Sequence, residues 1–223
     1  MTTSCVIYWT RLSGSSVDAC LQAGAHDLPP NLWQRSQHYR DRQVRALSVL
    51  GKRLLEYGLS RYMPSPHGQL LKFLRYTAQG SPYLSGLGLS VSFSHSADVV
   101  ACALSEDGPV GVDVQSVQRF PMQTDGRLFL NAAELGQFTE KTYVDLWAKK
   151  EAVYKVTASN GNGSQTPFKS LTVTTDGNVK DAKGQTYHTQ PFHVGPGYVS
   201  YVAANGPVCA ELRSVEARTL WTA

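Results

Sequence analysis

The sequence predicts an α+β protein, and three observations carry that prediction. Two stretches, residues 31–58 and 142–158, show helix-like apolar spacing. Three consecutive short runs between residues 89 and 115 are rich in β-branched and small residues and read as strands. The tail then breaks into further short alternating runs separated by turn residues, so each half of the chain reads as helix followed by several strands.

Taken in order, Met1 to Thr10 has no basic leader region and too short an apolar run for a signal peptide, and reads as an opening strand. Residues 31–58 place Val44, Leu47, Leu50, Leu54 and Leu55 on one helical face, with Asn31 as N-cap and Gly58 as stop. Pro64 to Gly68 is a turn cluster, Lys72 to Tyr76 a short strand, and Gly80 to Gly86 a loop. Leu89–Ser94, Val99–Leu104 and Val110–Gln115 are the three central strands, with Asp107-Gly108 suited to a hairpin between the last two. Helices follow at Leu128–Phe138 and Thr142–Ala158, the second stopped by the Gly- and Asn-rich stretch ending at Pro167. Ser170–Thr175, Tyr198–Ala204 and Glu211–Val215 read as an antiparallel sheet with a turn at Asp176-Gly177.

Composition narrows the class. A chain of 223 residues with 42% hydrophobic and 17% charged content is an ordinary globule able to bury a core. No apolar stretch approaches the roughly 20 residues that span a bilayer, and a cytoplasmic location is expected. Cys5, Cys20, Cys102 and Cys209 are scattered, as are the six histidines, so reduced thiols and no zinc site are expected. Between residues 35 and 53 six cations (Arg35, Arg40, Arg42, Arg45, Lys52 and Arg53) face a single acid, Asp41. A solvated basic helix face, a phosphate or nucleic-acid site, and attraction of an acidic protein partner are all compatible with that cluster.

Two segments carry chemistry. In Gly111-Val112-Asp113-Val114-Gln115 the period of two puts Asp113 and Gln115 on one strand face. In the second long helix Trp147, Glu151 and Lys155 fall at i, i+4 and i+8 and form one stripe. If that strand and helix pack together, two carboxylates, an amide and an ammonium converge, the equipment for a Mg²⁺-bound phosphate ester.

The run Gly80-Ser81-Pro82-Tyr83, then Val91-Ser92-Phe93-Ser94-His95-Ser96, then Gly111-Val112-Asp113, then Trp147-x-x-Lys150-Glu151-Ala152-x-x-Lys155, resembles the surfactin-type (Sfp-like) 4′-phosphopantetheinyl transferases in order and spacing across residues 80–155. Weaker similarity extends back to about Leu32 and forward through the tail. The resemblance implies two similar α+β halves in a pseudo-dimer, residues 1–110 and 111–223, with the active site in the cleft between them. It implies transfer of the 4′-phosphopantetheine arm of coenzyme A to a serine of an apo acyl or peptidyl carrier protein, with release of adenosine 3′,5′-bisphosphate. Mg²⁺ is the implied metal, and a cytoplasmic monomer the implied form.

Residue by residue, Asp113 matches the family's first metal ligand, and Glu151 its second ligand and proposed general base. Lys155 matches the lysine that contacts the phosphates and supports the departing group; Lys150 either assists or is a solvated surface lysine. Trp147 reads as an anchor that aims Glu151. The cation of Lys155 is expected to lower the Glu151 pKa, so that it acts through water or by orientation. Gln115 stands where relatives often carry glutamate and supplies a neutral carbonyl oxygen to the metal or to a metal-bound water. Ser94 and His95 match the segment that contacts the nucleotide 3′-phosphate, and Arg45 is the best match to the family arginine on the N-terminal helix, with Arg35 a looser one. Ser81 replaces the lysine common in the family's Gly-Lys-Pro loop, so the grip on that phosphate leans on Arg45, His95 and Arg75. Asp113 also belongs to the coenzyme A contacts.

Two other readings remain open. A basic nucleic-acid-binding module would use the 35–53 cluster and leave Asp113, Glu151 and Lys155 without a role. A coenzyme A-binding member of the fold without turnover is compatible with Gln115 and Ser81. The carrier is equally open: fatty-acid, polyketide, nonribosomal-peptide and siderophore synthases all fit.

Overall fold

A computed structural model describes residues 1–12, 17–63, 69–120, 126–135, 140–159 and 166–222. The expected turn at 64–68 and the Gly/Asn-rich stretch at 160–165 lie outside those residues. The architecture is α+β, with helices on the outer faces of two sheets built largely of antiparallel strands.

The first sheet has four strands. β1 (Thr3–Arg11), β4 (Ser90–Ser96) and β5 (Val99–Ser105) come from the first half of the chain, and β11 (Val208–Ser214) returns from the far end to pair in parallel with β1. The order is β11-β1-β5-β4. One face is covered by α3 (Arg42–Leu59), whose Leu47, Leu50 and Leu54 meet Val100, Cys102 and Leu104, and α1 (Val17–Asp27) packs against α3. The short α2 (Pro30–Gln37) leads into α3, and the C-terminal α6 (Thr219–Thr222) is tied to α3 by Arg53 Nε donating to the Leu220 carbonyl at 3.0 Å. A small hairpin, β2 (Leu74–Tyr76) and β3 (Pro82–Leu84), stands beside this layer.

The second sheet runs β6-β10-β9-β8-β7, formed by β6 (Val110–Ser116), β7 (Thr172–Val173), β8 (Val179–Lys180), β9 (Thr186–Pro191) and β10 (Tyr198–Ala204). Val110, Val112 and Val114 of β6 pack with Ile7, Val99, Ala101 and Ala103 of the first sheet. That is why every residue of β5 is buried: both of its faces are covered. The other face of the second sheet packs on α5 (Glu140–Ser159) through Ala152, Val153 and Val156. A four-residue helix, α4 (Ala132–Leu135), precedes α5.

Several expectations are corrected here. The single helix over 31–58 is two, broken at residues 38–41. Asp41 is the cap, its carboxylate accepting from the Gln43 and Val44 amides at 2.7 and 3.1 Å, while Asn31 lies inside α2. Gly58 does not stop α3; a Cβ there would stand 2.8 Å from Leu104 and 2.9 Å from Tyr8, so the glycine lets helix and sheet approach. Helix α1 is unforeseen because only Cys20 and Gly24 of it are buried and no apolar stripe announces it. Of the helix expected at 128–138, a 3₁₀ turn at Gly126–Leu128 and α4 are found, and 136–139 lie outside the described residues.

The expected hairpin at Asp107-Gly108 is not formed, because the turn carries the chain from one sheet to the other. β6 pairs with β10 on one edge. On its other edge the amides of Val110, Val112, Val114 and Ser116 donate to the hydroxyls of Ser90, Ser92, Ser94 and Ser96 at 3.1, 3.0, 3.1 and 2.9 Å. Side-chain oxygens thus take the place of backbone carbonyls, and β4 lies beside β6 along a seam that satisfies buried donors. Cys5, Cys20 and Cys102 are buried thiols and Cys209 is an exposed one, none of them in a disulfide. Among the described residues no helix is long and apolar enough to cross a membrane.

Candidate functional site

The seam between the sheets is also the floor of a cavity of about 480 Å³. β6 alternates as the period of two requires. Its valines enter the inter-sheet core, and Gly111, Asp113 and Gln115 face α5 and the cavity. Gly111 decides how close the helix comes: a Cβ at that position would fall 1.9 Å from the Ala152 carbonyl oxygen. With no side chain there, α5 lies directly on the strand and carries Glu151 and Lys155 over Asp113.

Asp113 is 1% exposed. Its Oδ1 accepts from Lys155 Nζ and from Ser94 Oγ, each at 2.8 Å, and its Oδ2 accepts from Gln115 Nε2 at 2.9 Å. Ser94 therefore works twice, receiving the Val114 amide and donating to Asp113. Lys155 also donates to the Val112 carbonyl at 2.9 Å, which pins the ammonium at the strand edge. The spacing expectation holds: Asp113 and Gln115 share a face, and Glu151 and Lys155 share the stripe that covers it.

Glu151 lines the same cavity. Burial raises its pKa above the usual glutamate value, and the Asp113 carboxylate adds to the rise, against a lowering by Lys155. This corrects the expectation of a lowered value. Desolvation outweighs the neighbouring cation, so the carboxylate is a better proton acceptor than a solvated glutamate. Trp147 is an anchor, its ring set against Phe168, Phe129 and Phe120 at centroid distances of 5.0, 5.4 and 6.1 Å. Lys150 is neither a surface lysine nor part of the site. It is fully buried, ion-paired with Glu134, and donates to the Phe129 carbonyl at 3.0 Å.

At the other end of the cavity stand His95, Tyr39, Tyr76, Ser81, Arg35 and Lys52. His95 and Ser94 point to opposite faces of β4 yet both reach the cavity. Burial, then the Lys155 cation, hold the His95 pKa below its ordinary value. Arg35 lies over the Tyr76 ring at 3.8 Å and donates to the Gly80 carbonyl at 3.3 Å. Arg45 and Arg75 are placed elsewhere: Arg45 donates to the Tyr39 carbonyl at 3.0 Å, and Arg75 is exposed and donates to the Leu74 carbonyl. Neither is among the lining residues, and the α3 cation that does line the cavity is Lys52. The serine seam, Gly111 as a contact point and Lys52 in the cavity are absent from the sequence reading. The four serines spaced by two were the visible signal for the first.

Among the described residues no group of three or more His, Cys, Asp or Glu side chains is gathered to hold a metal. The donor set here is two carboxylates with an amide oxygen available if the Gln115 amide turns over. Such hard oxygen donors fit Mg²⁺, which takes only one or two carboxylates from protein and the rest from phosphate and water. The arrangement can bind a phosphate ester, accept a proton at Glu151 and neutralise a departing oxyanion at Lys155. A scan against protein-family models finds no match to this chain, and a search of curated proteins finds none.

Proposed function

We propose that the chain is a Mg²⁺-dependent 4′-phosphopantetheinyl transferase that moves the arm of coenzyme A onto a serine of an apo acyl or peptidyl carrier protein. The single observation that carries the reading is the meeting of Asp113, Glu151 and Lys155, with His95 opposite, in one cavity that touches both sheets. The two halves of the proposed pseudo-dimer would be residues 1–110 and 111–223, with β11 and α6 of the second crossing to the α3-covered layer and the site in the cleft between the halves.

In this reading the carrier serine loses its proton to Glu151 as its oxygen attacks the phosphorus that bears pantetheine. The bond from that phosphorus to the bridging oxygen breaks, and adenosine 3′,5′-bisphosphate leaves with its new charge beside Lys155. Asp113, Glu151 and Gln115 would hold Mg²⁺, which supplies charge neutralisation at the pyrophosphate. Ser94 and Gln115 keep Asp113 aimed, and Trp147 keeps α5 from turning. A cytoplasmic monomer that docks acidic carriers through surface cations belongs to the same proposal.

The nucleic-acid reading has less support. Of the six cations between 35 and 53, Lys52 and Arg53 are buried and Arg35 stands at the cavity, so no continuous basic stripe faces solvent. The proposal is tested by incubating the protein with coenzyme A, Mg²⁺ and apo carrier proteins with and without excess chelator. Chelator is expected to stop transfer and added Mg²⁺ to restore it; transfer that persists in chelator contradicts the metal role.

A further inference from the structure

Asp113 has more partners than a metal ligand can keep. An ionised carboxylate offers about four acceptor sites. Oδ1 accepts from Lys155 Nζ and Ser94 Oγ, each at 2.8 Å, and Oδ2 accepts from Gln115 Nε2 at 2.9 Å. A divalent cation on either oxygen would stand beside the Lys155 ammonium, so ammonium and metal exclude one another by charge as well as by space. The wider cavity presses the same way. Its lining carries three cations (Arg35, Lys52 and Lys155) against two carboxylates (Asp113 and Glu151). A metal entering alone would add to an excess of positive charge.

The two members of the pair differ in freedom. The Asp113 side chain is 2% exposed and is fixed from β4 by Ser94 and from β6 by Gln115. The Lys155 side chain is 24% exposed, and its ammonium ends a flexible stem whose other partner is the Val112 carbonyl, at 2.9 Å. Only the lysine can withdraw, and a multiply charged anion in the cavity gives it somewhere to go. We infer that Lys155 gates the metal site: its ammonium and the metal hold Asp113 in turn, and a pyrophosphate that takes the ammonium frees the carboxylate for Mg²⁺. Metal and pyrophosphate take their identity here from the transferase reading; the Asp113–Lys155 geometry carries the gate itself.

A thermodynamic coupling follows. Metal alone must displace the ammonium from a buried carboxylate, so it binds weakly. Once a pyrophosphate holds the ammonium, that opposition is gone. Coenzyme A therefore raises the affinity for metal, and by linkage metal raises the affinity for coenzyme A by the same factor. Removing the ammonium should remove part of the coupling, because Asp113 is then an unpaired buried charge that a metal relieves by itself. A lysine that served the phosphates alone would leave binding of the metal by itself unchanged.

The test is Mn²⁺ binding, with Mn²⁺ standing in for Mg²⁺, read from the paramagnetic resonance signal of the free ion. It is run with and without coenzyme A and corrected for metal that coenzyme A holds by itself. Lys155→Met is expected to bind Mn²⁺ alone roughly 5- to 100-fold more tightly than wild type, and coenzyme A should raise that affinity by a smaller factor than in the wild type. Added Mn²⁺ should also raise its melting temperature more than that of the wild type at the same concentration. Lys52→Met removes the same charge from the same cavity, but Lys52 bonds Ser36 and Ser48 and not Asp113, so it should change Mn²⁺ binding far less. Where Lys155→Met does not fold, Lys155→Gln carries the same expectation, because its amide keeps a hydrogen-bond donor without the charge. Unchanged or weaker Mn²⁺ binding in the Lys155 variants, or an equal gain in Lys52→Met, overturns the gate. Carrier modification by the wild-type protein, when its Lys155 variants fail these criteria, leaves the transferase reading standing; the expected gain without any carrier modified leaves the gate standing alone.

Discussion

Replacing Glu151 by glutamine is expected to lower kcat for phosphopantetheine transfer by roughly 10²- to 10⁴-fold, the usual worth of a positioned general base. Glutamine keeps the size and hydrogen-bonding reach of the side chain but accepts no proton. Lys155, Asp113, Arg35 and Lys52 are untouched, so coenzyme A should bind within a few-fold of wild type when binding is measured without Mg²⁺, which Glu151 would help to hold. The split matters because a coenzyme A-binding protein without turnover would show no transfer before or after the change. Single-turnover transfer and calorimetric binding, measured on the same preparations, check both parts. A Glu151→Gln protein that transfers at the wild-type rate removes Glu151 from the chemistry.

The second large effect is expected at Gly111. A methyl group there would lie 1.9 Å from the Ala152 carbonyl oxygen and 3.0 Å from the Val156 amide nitrogen, both backbone atoms of α5. A flexible side chain could swing away; a helix backbone must move as a body. Gly111→Ala should therefore cost about 1–3 kcal/mol or more, as overpacking does. For a chain of this size that is a fall in Tm of several degrees, about 2–4 °C per kcal/mol. Because Glu151 and Lys155 ride on the displaced helix, activity should fall further than stability does, since a misplacement of about 1 Å can cost 10²-fold. Thermal melting and the transfer assay together decide it. Unchanged values in both would mean that α5 does not lie against β6 at this glycine.

How much of this was visible in the sequence depends on the range of the interaction. Asp113 with Gln115 and Glu151 with Lys155 were legible because each pair obeys one local period, two on a strand and about four on a helix. That strand and helix touch is a condition neither period dictates; the reason they can is the missing side chain at Gly111. The seam was less legible. Ser90, Ser92, Ser94 and Ser96 look like the wet face of an edge strand, and only the position of β6 turns their hydroxyls into acceptors for buried amides.

The basic cluster misled for a related reason. Arg45 and Lys52 both sit on α3, but the break at residues 38–41 brings the Tyr39 carbonyl back over Arg45, which binds it. Lys52, a full two turns on, is left to face the cavity. Nothing local distinguishes the two cations. The return of β11 to β1 is equally non-local: a parallel pair between residues 3–9 and 208–214 leaves no short-range trace.

The measurement that tests the central claim most directly is the intact mass of a panel of apo carrier proteins after incubation with this protein, coenzyme A and Mg²⁺. Wild-type protein is expected to add one phosphopantetheine to the serine of at least one carrier, and Asp113→Asn, which keeps the shape of the side chain and removes its charge, to add none. No mass gain on any carrier, or an equal gain with Asp113→Asn, would contradict the account.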